Sequence, residues 1–371
     1  MSQEIEAWRA RLDGTGPLAR TWVGRLRRDL EAEAVAASTI MEGVPVTVEE
    51  VRRILAGERP PEVTEENRAL VEGYREAMSF VLRRADDPSF HWDRELLVSL
   101  HDRVLGGSFA LGAGRLRTDQ RYVVDSRSGE QIFLPPPGEE VPPLVDEACR
   151  FMEGFVGHPA LAAAWIHIAV AAIHPFSDGN GRVARILASL AMYRGGFRRP
   201  QFTSLEEWWG RHRTDYYSSF RCLGTRFDRH TDVTPFCRAH VQAQLSQVRA
   251  LELREHVERQ IWTALENFLG EKDLPLRLAN ALWDAFFGRN VTAGYYRSVA
   301  DVSPATATHD LATATAAGLL EAQGMRRGRR YLAGPTLFRA LGASLLGLDL
   351  PSSPEEARAF VVAKLTERAR S

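Results

Sequence analysis

From Ala160 to Ile173 the chain is apolar at every position except His167, and it then enters HPFSDGNGRVAR, residues 174–185. The apolar run is too short for a bilayer, which needs about 20 residues, so it reads as a helix buried in protein. A second apolar-periodic segment follows from Arg182 to Arg194 and reads as another helix. A short loop between two core helices is held at both ends, and that restraint gives its side chains and amides fixed positions.

The residue types in the loop suit anion chemistry. Gly179, Asn180 and Gly181 let backbone N–H groups approach an anion with little Cβ interference, and the helix that follows adds the positive end of its dipole. Arg182 and Arg185, three apart, share a helix face and can clamp phosphate oxygens with planar donors. Asp178 is the nearby carboxylate. As a bare anion it would repel phosphate, whereas Mg²⁺ takes one or two carboxylates together with phosphate oxygens. His174 supplies a base whose ordinary pKa is near neutrality. The loop therefore predicts a phosphate nest with Mg²⁺ at Asp178 and a proton acceptor at His174.

Elsewhere the spacing is mainly helical. Segments expected as helices are 18–41, 48–55, 65–84, 94–105, 143–156, 205–223 and 234–269. One stretch departs from this: RYVV and QIFL flank the turn-rich SRSG, which predicts a β-hairpin over residues 121–134, ended by Pro135, Pro136 and Pro137. With 47 Lys and Arg against 48 Asp and Glu, net charge gives no reason to expect strong nucleic-acid or membrane binding outside a local patch. Cys149, Cys222 and Cys237 make no CxxC pair, and the N-terminal MSQEIEAWRARLDG lacks the apolar core of a secretory peptide. A cytoplasmic protein with no membrane partner is the expectation.

The loop resembles the Fic family motif HxFx(D/E)GNGRxxR, with His174, Phe176, Asp178, Gly179, Asn180, Gly181, Arg182 and Arg185 at its fixed positions. The resemblance implies a mainly α fold, a Fic helical core with a β-hairpin flap. It also implies transfer of AMP from ATP to a Ser, Thr or Tyr hydroxyl of a target protein and of the enzyme itself. By that resemblance His174 is the base, Phe176 anchors the loop, and Asp178 binds Mg²⁺. Asn180 and the amides of Gly179 and Gly181 hold the α-phosphate, while Arg182 and Arg185 meet the β- and γ-phosphates. Tyr216 and Tyr217 match a pair near the nucleotide base in relatives, where an aromatic face packs on adenine; as a helical aromatic pair they read equally as core. Gly114-Arg115-Leu116-Arg117 resembles the family's entry to the flap, LHDRVL at 100–105 resembles a helix just upstream, and the flap is where a target backbone adds as a strand.

Ahead of the core, Ser38-Thr39-Ile40-Met41-Glu42-Gly43 resembles the family's inhibitory pattern (S/T)xxxE(G/N). Ser38 and Glu42 lie four apart on one helix face, and Gly43 suits the left-handed position that ends a helix. From the spacing and the resemblance we expect Glu42 to pair with Arg185 and deny it to the γ-phosphate. In some relatives the same glutamate helps remove AMP from modified targets, so the reverse reaction stays open here.

The last hundred residues carry a different pattern. Within 291–333 a short helix, a turn at Val302-Ser303, a helix from Pro304 capped by Ser303, then GLL, the basic MRRGRR and YLA resemble a winged helix-turn-helix domain. Its DNA reading places Thr306 and Thr308 in a groove and Arg326, Arg327, Arg329 and Arg330 on phosphates. The second helix carries no Lys or Arg, which favours a docking or dimer module instead. The expected organisation is an N-terminal region 1–60 with the inhibitory helix, a catalytic core 61–270 and a C-terminal domain 271–371. ATP, a target protein at the flap, a homodimer and DNA are the partners weighed. The alternative to a protein adenylyltransferase is a nucleotide-sensing DNA-binding regulator without turnover.

Overall fold

The order of elements is α1 (Ser2–Gly14), α2 (Arg20–Met41), α3 (Val48–Leu55), α4 (Glu65–Ala85), α5 (Arg94–Val104), β1 (Val123–Val124), β2 (Gln131–Phe133), α6 (Val141–Glu153), α7 (Pro159–Ile173), α8 (Asn180–Arg194), α9 (Leu205–Arg211), α10 (Arg213–Ser219), α11 (Thr234–Glu271), α12 (Ala279–Phe286), α13 (Ala293–Ala300), α14 (Pro304–Ala316), β3 (Leu320–Gln323), β4 (Arg330–Ala333), α15 (Pro335–Leu346) and α16 (Pro354–Arg370). The structure is a computed structural model and describes residues 1–14, 20–124, 128–199, 205–325, 328–348, 350–351 and 353–370, leaving aside the side chains of 13–27 and 370. The chain divides into two units. The first comprises Met1–Pro17, Arg27–Val51 and Pro61–Arg249; the second comprises Leu18–Leu26, Arg52–Pro60 and Ala250–Ser371.

The first unit is built around α7 and α8. Pro159 occupies the first turn of α7, and the His158 ring accepts from the Ala160 N–H to cap it. Small residues on both helices, Ala163, Ala164, Ala184 and Ala188 among them, are buried where the pair packs, and α4 and α5 pack against α8. Thr64 caps α4 and Asp93 caps α5, each accepting from the third N–H of its helix. At the crossing of α4 and α5 a Cβ on Gly73 would overlap the Arg103 carbonyl oxygen, so glycine sets how close the two backbones come.

The hairpin pairs Val123 with Phe133 and Val124 with Gln131 across an irregular step. Its far end is tied down where Leu134 N–H donates to Thr225 O at 2.9 Å and Phe227 N–H to Leu134 O at 2.8 Å. Residues 125–127 of the expected turn lie outside the described residues.

In the first unit two local features differ from the sequence reading. The single helix expected over 205–223 is α9, α10 and a 3₁₀ turn, Phe220–Leu223. The break is at His212, whose ring Nδ1 bonds the Trp208 carbonyl at 2.9 Å while the ring stacks on Trp208, a side-chain bond that competes with continuation of the helix. Helix α1 has no counterpart among the expected helices; Ile5 and Leu12 bury one of its faces.

In the second unit α13 and α14 are joined by a tight turn and followed by the antiparallel β3–β4 hairpin, with Val291 bridging to Tyr331. Asp310 is buried, accepting from Arg277 Nε (2.7 Å) and Nη2 (2.9 Å) and from the Tyr296 hydroxyl (2.8 Å). The Thr306 hydroxyl meets Ser303 and that of Thr308 turns back to Pro304 O, so both are engaged locally. Arg329 and Arg330 are exposed; Arg326 and Arg327 lie outside the described residues. Among the described residues no helix is long and apolar enough to cross a membrane.

The Gly73 contact makes a stability prediction. Gly73→Ala should cost about 1–3 kcal/mol through overpacking, seen as a lower thermal midpoint with the far-UV signature of the native helices retained. An unchanged midpoint would contradict the contact.

Candidate functional site

Helix α7 ends with His174 in the left-handed region (φ 52°, ψ 58°), a conformation unusual for a residue with a side chain. Two devices hold it there. The His174 N–H closes on Val170 O at 2.9 Å. Arg117, buried, donates from Nε to His174 O at 2.7 Å and from its terminal nitrogens to Asp119 O and Pro136 O at 2.7 Å and Ile173 O at 3.2 Å. One guanidinium thus links the end of α7 to both roots of the hairpin.

The loop after His174 is closed internally. Phe176 N–H donates to Asn180 Oδ1 (2.9 Å), and Asn180 Nδ2 donates to Phe176 O (2.8 Å). One Asn180 amide N–H and its carbonyl oxygen thus close the loop. Phe176 is fully buried and stacks on His101 with ring centroids 3.8 Å apart. His101 Nδ1 accepts from the Gly114 N–H at 3.1 Å, which puts the ring proton on Nε2, 3.0 Å from Asp178 O. Gly179 starts α8 with φ 76°, where a side chain would be strained. The first N–H groups of a helix have no intrahelical acceptors, and in α8 these belong to Asn180 and Gly181.

Charges gather on this helix start. Asp178 is half exposed; its Oδ1 accepts from the Gly179 N–H at 2.6 Å and its Oδ2 from Arg182 Nη2 at 3.2 Å. Arg182 is buried, and its Nε and Nη1 have no partner among the described residues. Arg185 is buried and makes four bonds: Nε to Ser38 Oγ (2.9 Å), Nη2 to Ser38 O (3.1 Å) and Glu42 Oε1 (2.8 Å), and Nη1 to the Tyr216 hydroxyl (3.2 Å). Burial opposes its charge, but Tyr216, Glu42 and Tyr74 outweigh this and hold its pKa above the usual arginine value.

Glu42 reaches Arg185 because α2 stops in time. Gly43 N–H bonds Ile40 O and Val44 N–H bonds Thr39 O with Gly43 at φ 85°, a Schellman ending that leaves Glu42 at the helix tip. A Cβ on Gly181 would overlap Glu42 Oε1, so the carboxylate lies directly against the first turn of α8, where an anion is favoured.

Beside these groups opens a cavity of about 350 Å³, within the range of small-molecule sites. Its wall includes Glu42, His174, Asn180, Gly181, Arg185, Tyr216 and Tyr217, with Val123, Ile132 and Phe133 of the hairpin on one side. Asp178, Gly179, Arg182 and Ser38 are not on that wall. Tyr216 is buried in a cluster with Met41, Leu205, Trp209 and Ala243, and burial pushes its hydroxyl up to about 12. Tyr217 is half exposed, and its hydroxyl donates to Met41 O at 3.0 Å, one residue before Glu42. Both line the cavity, Tyr216 from the core and Tyr217 from a half-exposed position.

For Mg²⁺ the residues allow a modest site. Among the described residues no group of three or more His, Cys, Asp or Glu could hold a metal. Asp178 is a single, half-exposed carboxylate, which fits an ion that takes most of its oxygens from phosphate and water. His101 and Arg117 carry no role that their sequence context alone assigns; neither touches the cavity, and their work is visible in the packing alone.

Residues 91–192 match the model of the Fic/DOC family. Among curated proteins, protein adenylyltransferase Fic of Nematostella vectensis is 28% identical over 217 residues, 56% of this chain and 44% of that protein. Protein adenylyltransferase fic-1 of Caenorhabditis briggsae is 34% identical over 143 residues, 38% of this chain and 25% of that protein. The chain therefore spans less than half the length of these relatives. Among solved structures, a Fic family protein from Desulfovibrio desulfuricans G20 superposes with a TM-score of 0.59 at 20% identity, over 90% of this chain and 95% of that one. Fic-1 from Caenorhabditis elegans gives 0.55 at 24% identity, over 67% and 70%. These last two likenesses show the fold.

Burial lowers the His174 pKa from the ordinary 6.5 to about 4; Arg117 adds to this, while the Ala171 carbonyl, Glu42 and Asp178 oppose it. The sign follows: the unfolded chain takes up this proton first, so His174's contribution to stability is complete above about 6.5 and falls as the pH drops toward 4. An NMR titration of the ring should show a neutral imidazole at pH 6 and a midpoint near 4. A midpoint at 6.5 would contradict the burial.

Proposed function

We propose that this Fic/DOC-family chain is an ATP-dependent protein adenylyltransferase held in check by its own Glu42. The observation that carries the reading is the sharing of one cavity wall by His174, the first amides of α8, and Arg185 paired with Glu42. The names of the curated relatives support the same reaction class.

In the reaction a target hydroxyl beside His174 loses its proton to the neutral imidazole as its oxygen attacks the α-phosphorus of ATP. A bond forms from that oxygen to phosphorus, the bond from phosphorus to the β-phosphate oxygen breaks, and pyrophosphate leaves with the electron pair. The amides of Asn180 and Gly181 face the charge that develops on the α-phosphate oxygens. Arg185, on the cavity wall, would take the leaving phosphates, with the charge of buried Arg182 behind it. Asp178 would hold Mg²⁺, which when bound supplies positive charge against the phosphates. The hairpin lines the cavity with Val123, Ile132 and Phe133 and exposes Tyr122, Val124 and Ile132, a surface on which target backbone would add as a strand. Tyr217 bounds the space left for the base.

Glu42 restrains this reaction by occupying Arg185 and the anion position at the α8 start, so the γ-phosphate lacks its arginine and the triphosphate sits unproductively. Glu42→Gly should raise AMP transfer by at least tenfold at saturating ATP, read as self-modification by peptide mass spectrometry, and adding His174→Ala should abolish it. No increase would remove the brake; no AMP on any form, with salt-dependent binding to duplex DNA, would favour the regulator reading instead.

The Tyr217 hydroxyl bonds the carbonyl just before Glu42 and so helps hold the tip of α2. Tyr217→Phe should raise basal transfer a fewfold in the otherwise unchanged chain and add little when Glu42 is already glycine. An equal effect in both backgrounds would place Tyr217 in nucleotide binding alone.

A further inference from the structure

Arg185 also lines a second, much smaller space, together with His167, Glu206, Trp209 and His240 among others. The centre of a water-sized sphere has about 10 Å³ in which to move there, enough for one water molecule. Its walls are deeply buried: Glu206 and His167 are 1% exposed, His240 2% and Trp209 3%.

These buried side chains carry polar atoms without protein partners among the described residues: Glu206 Oε2, Trp209 Nε1, His167 Nδ1 and both ring nitrogens of His240. Their chemistry is mixed. Trp209 Nε1 can only donate. The Tyr216 hydroxyl accepts from Arg185 and is 3.1 Å from His167 Nε2, which assigns the hydroxyl proton to that bond and the His167 ring proton to Nδ1, a second donor. Burial drives the His240 pKa down to about 3, so its ring is neutral and offers one donor and one acceptor. Glu206 Oε1 accepts from Tyr74 at 3.1 Å, leaving Oε2 unmatched. Buried polar groups left unpaired cost as much as lost hydrogen bonds.

We propose that this space is a binding site for a single water molecule, held by Glu206, His240, Trp209 and His167. Water is the ligand that fits because it accepts from the Trp209 and His167 N–H groups and donates to Glu206 Oε2 and the free His240 nitrogen at once. A cation of this size would face two N–H donors, and an apolar occupant would leave every orphan unpaired. Burial pushes the Glu206 carboxyl up to about 7, and only an amphoteric partner satisfies it in both protonation states. The site completes the polar shell behind Arg185 without drawing on Glu42. It does not depend on the reaction proposed above.

The full chain tests this in two ways. A crystal structure at a resolution that orders internal solvent should show one peak within hydrogen-bond distance of Glu206 Oε2 and a ring nitrogen of His240; an empty space, or a peak of metal-ion height and short distances, would overturn the proposal. In solution, the Trp209 indole N–H should give a cross-peak to a long-lived water in a water-selective NOE experiment on the folded protein. An indole proton protected from exchange and showing no such cross-peak would likewise overturn it.

Discussion

Arg185 is the charge around which the site is arranged. It is buried in the first unit, where a cation survives only with anionic and hydroxyl partners, and it has them from three directions: Ser38 and Glu42 on α2, Tyr216 on α10, and the polar group of Tyr74 and Glu206 within electrostatic reach. Removing one partner of such a cluster leaves charge uncompensated. A triphosphate that delivered its own negative charge would compensate it in the same place. On the proposed reading, a carboxylate and a phosphate would compete for this one buried guanidinium.

The rest of the architecture serves position. The left-handed turn at His174 would relax in an isolated helix end; here Arg117 fixes its carbonyl and the hairpin roots together, so the imidazole and the flap share one anchor. On the other side of the loop His101 holds the Asp178 carbonyl and stacks on Phe176, while Asn180 closes the turn. The candidate site thus hangs on buried residues outside the cavity wall, His101 and Arg117 among them. Burial also keeps His174 neutral, the form a proton acceptor needs.

Much of this was legible in the sequence because it is local. The helix that becomes α7 is visible from its apolar run, α8 from its periodicity, and the hairpin from two β-type runs around a turn. Ser38 and Glu42 four apart, with glycine after them, already describe a helix tip carrying a carboxylate. What stayed hidden depends on distant partners. The break at His212 comes from a ring bonding its own backbone, which periodicity does not register. The Asn180 side chain closes the loop on Phe176, a pair of bonds that its place in the motif does not announce. Tyr216 and Tyr217 are adjacent and alike in sequence, and only packing against Trp209 and Met41 separates the buried member of the pair from the half-exposed one. Glu206, His240 and Trp209 converge behind Arg185 from helices whose sequences give no sign of it.

On the proposed reading, Glu42 and the nucleotide's terminal phosphate exclude one another at Arg185. This exclusion is tested most directly by a crystal structure of the Glu42→Gly chain with Mg²⁺ and a non-hydrolysable ATP analogue, beside the unchanged chain treated identically. The account predicts the Arg185 guanidinium on the γ-phosphate in the variant, and in the unchanged chain still on Glu42 with the phosphates displaced. A γ-phosphate contacting Arg185 while Glu42 remains bound to it, or avoiding Arg185 once Glu42 is gone, would contradict the account.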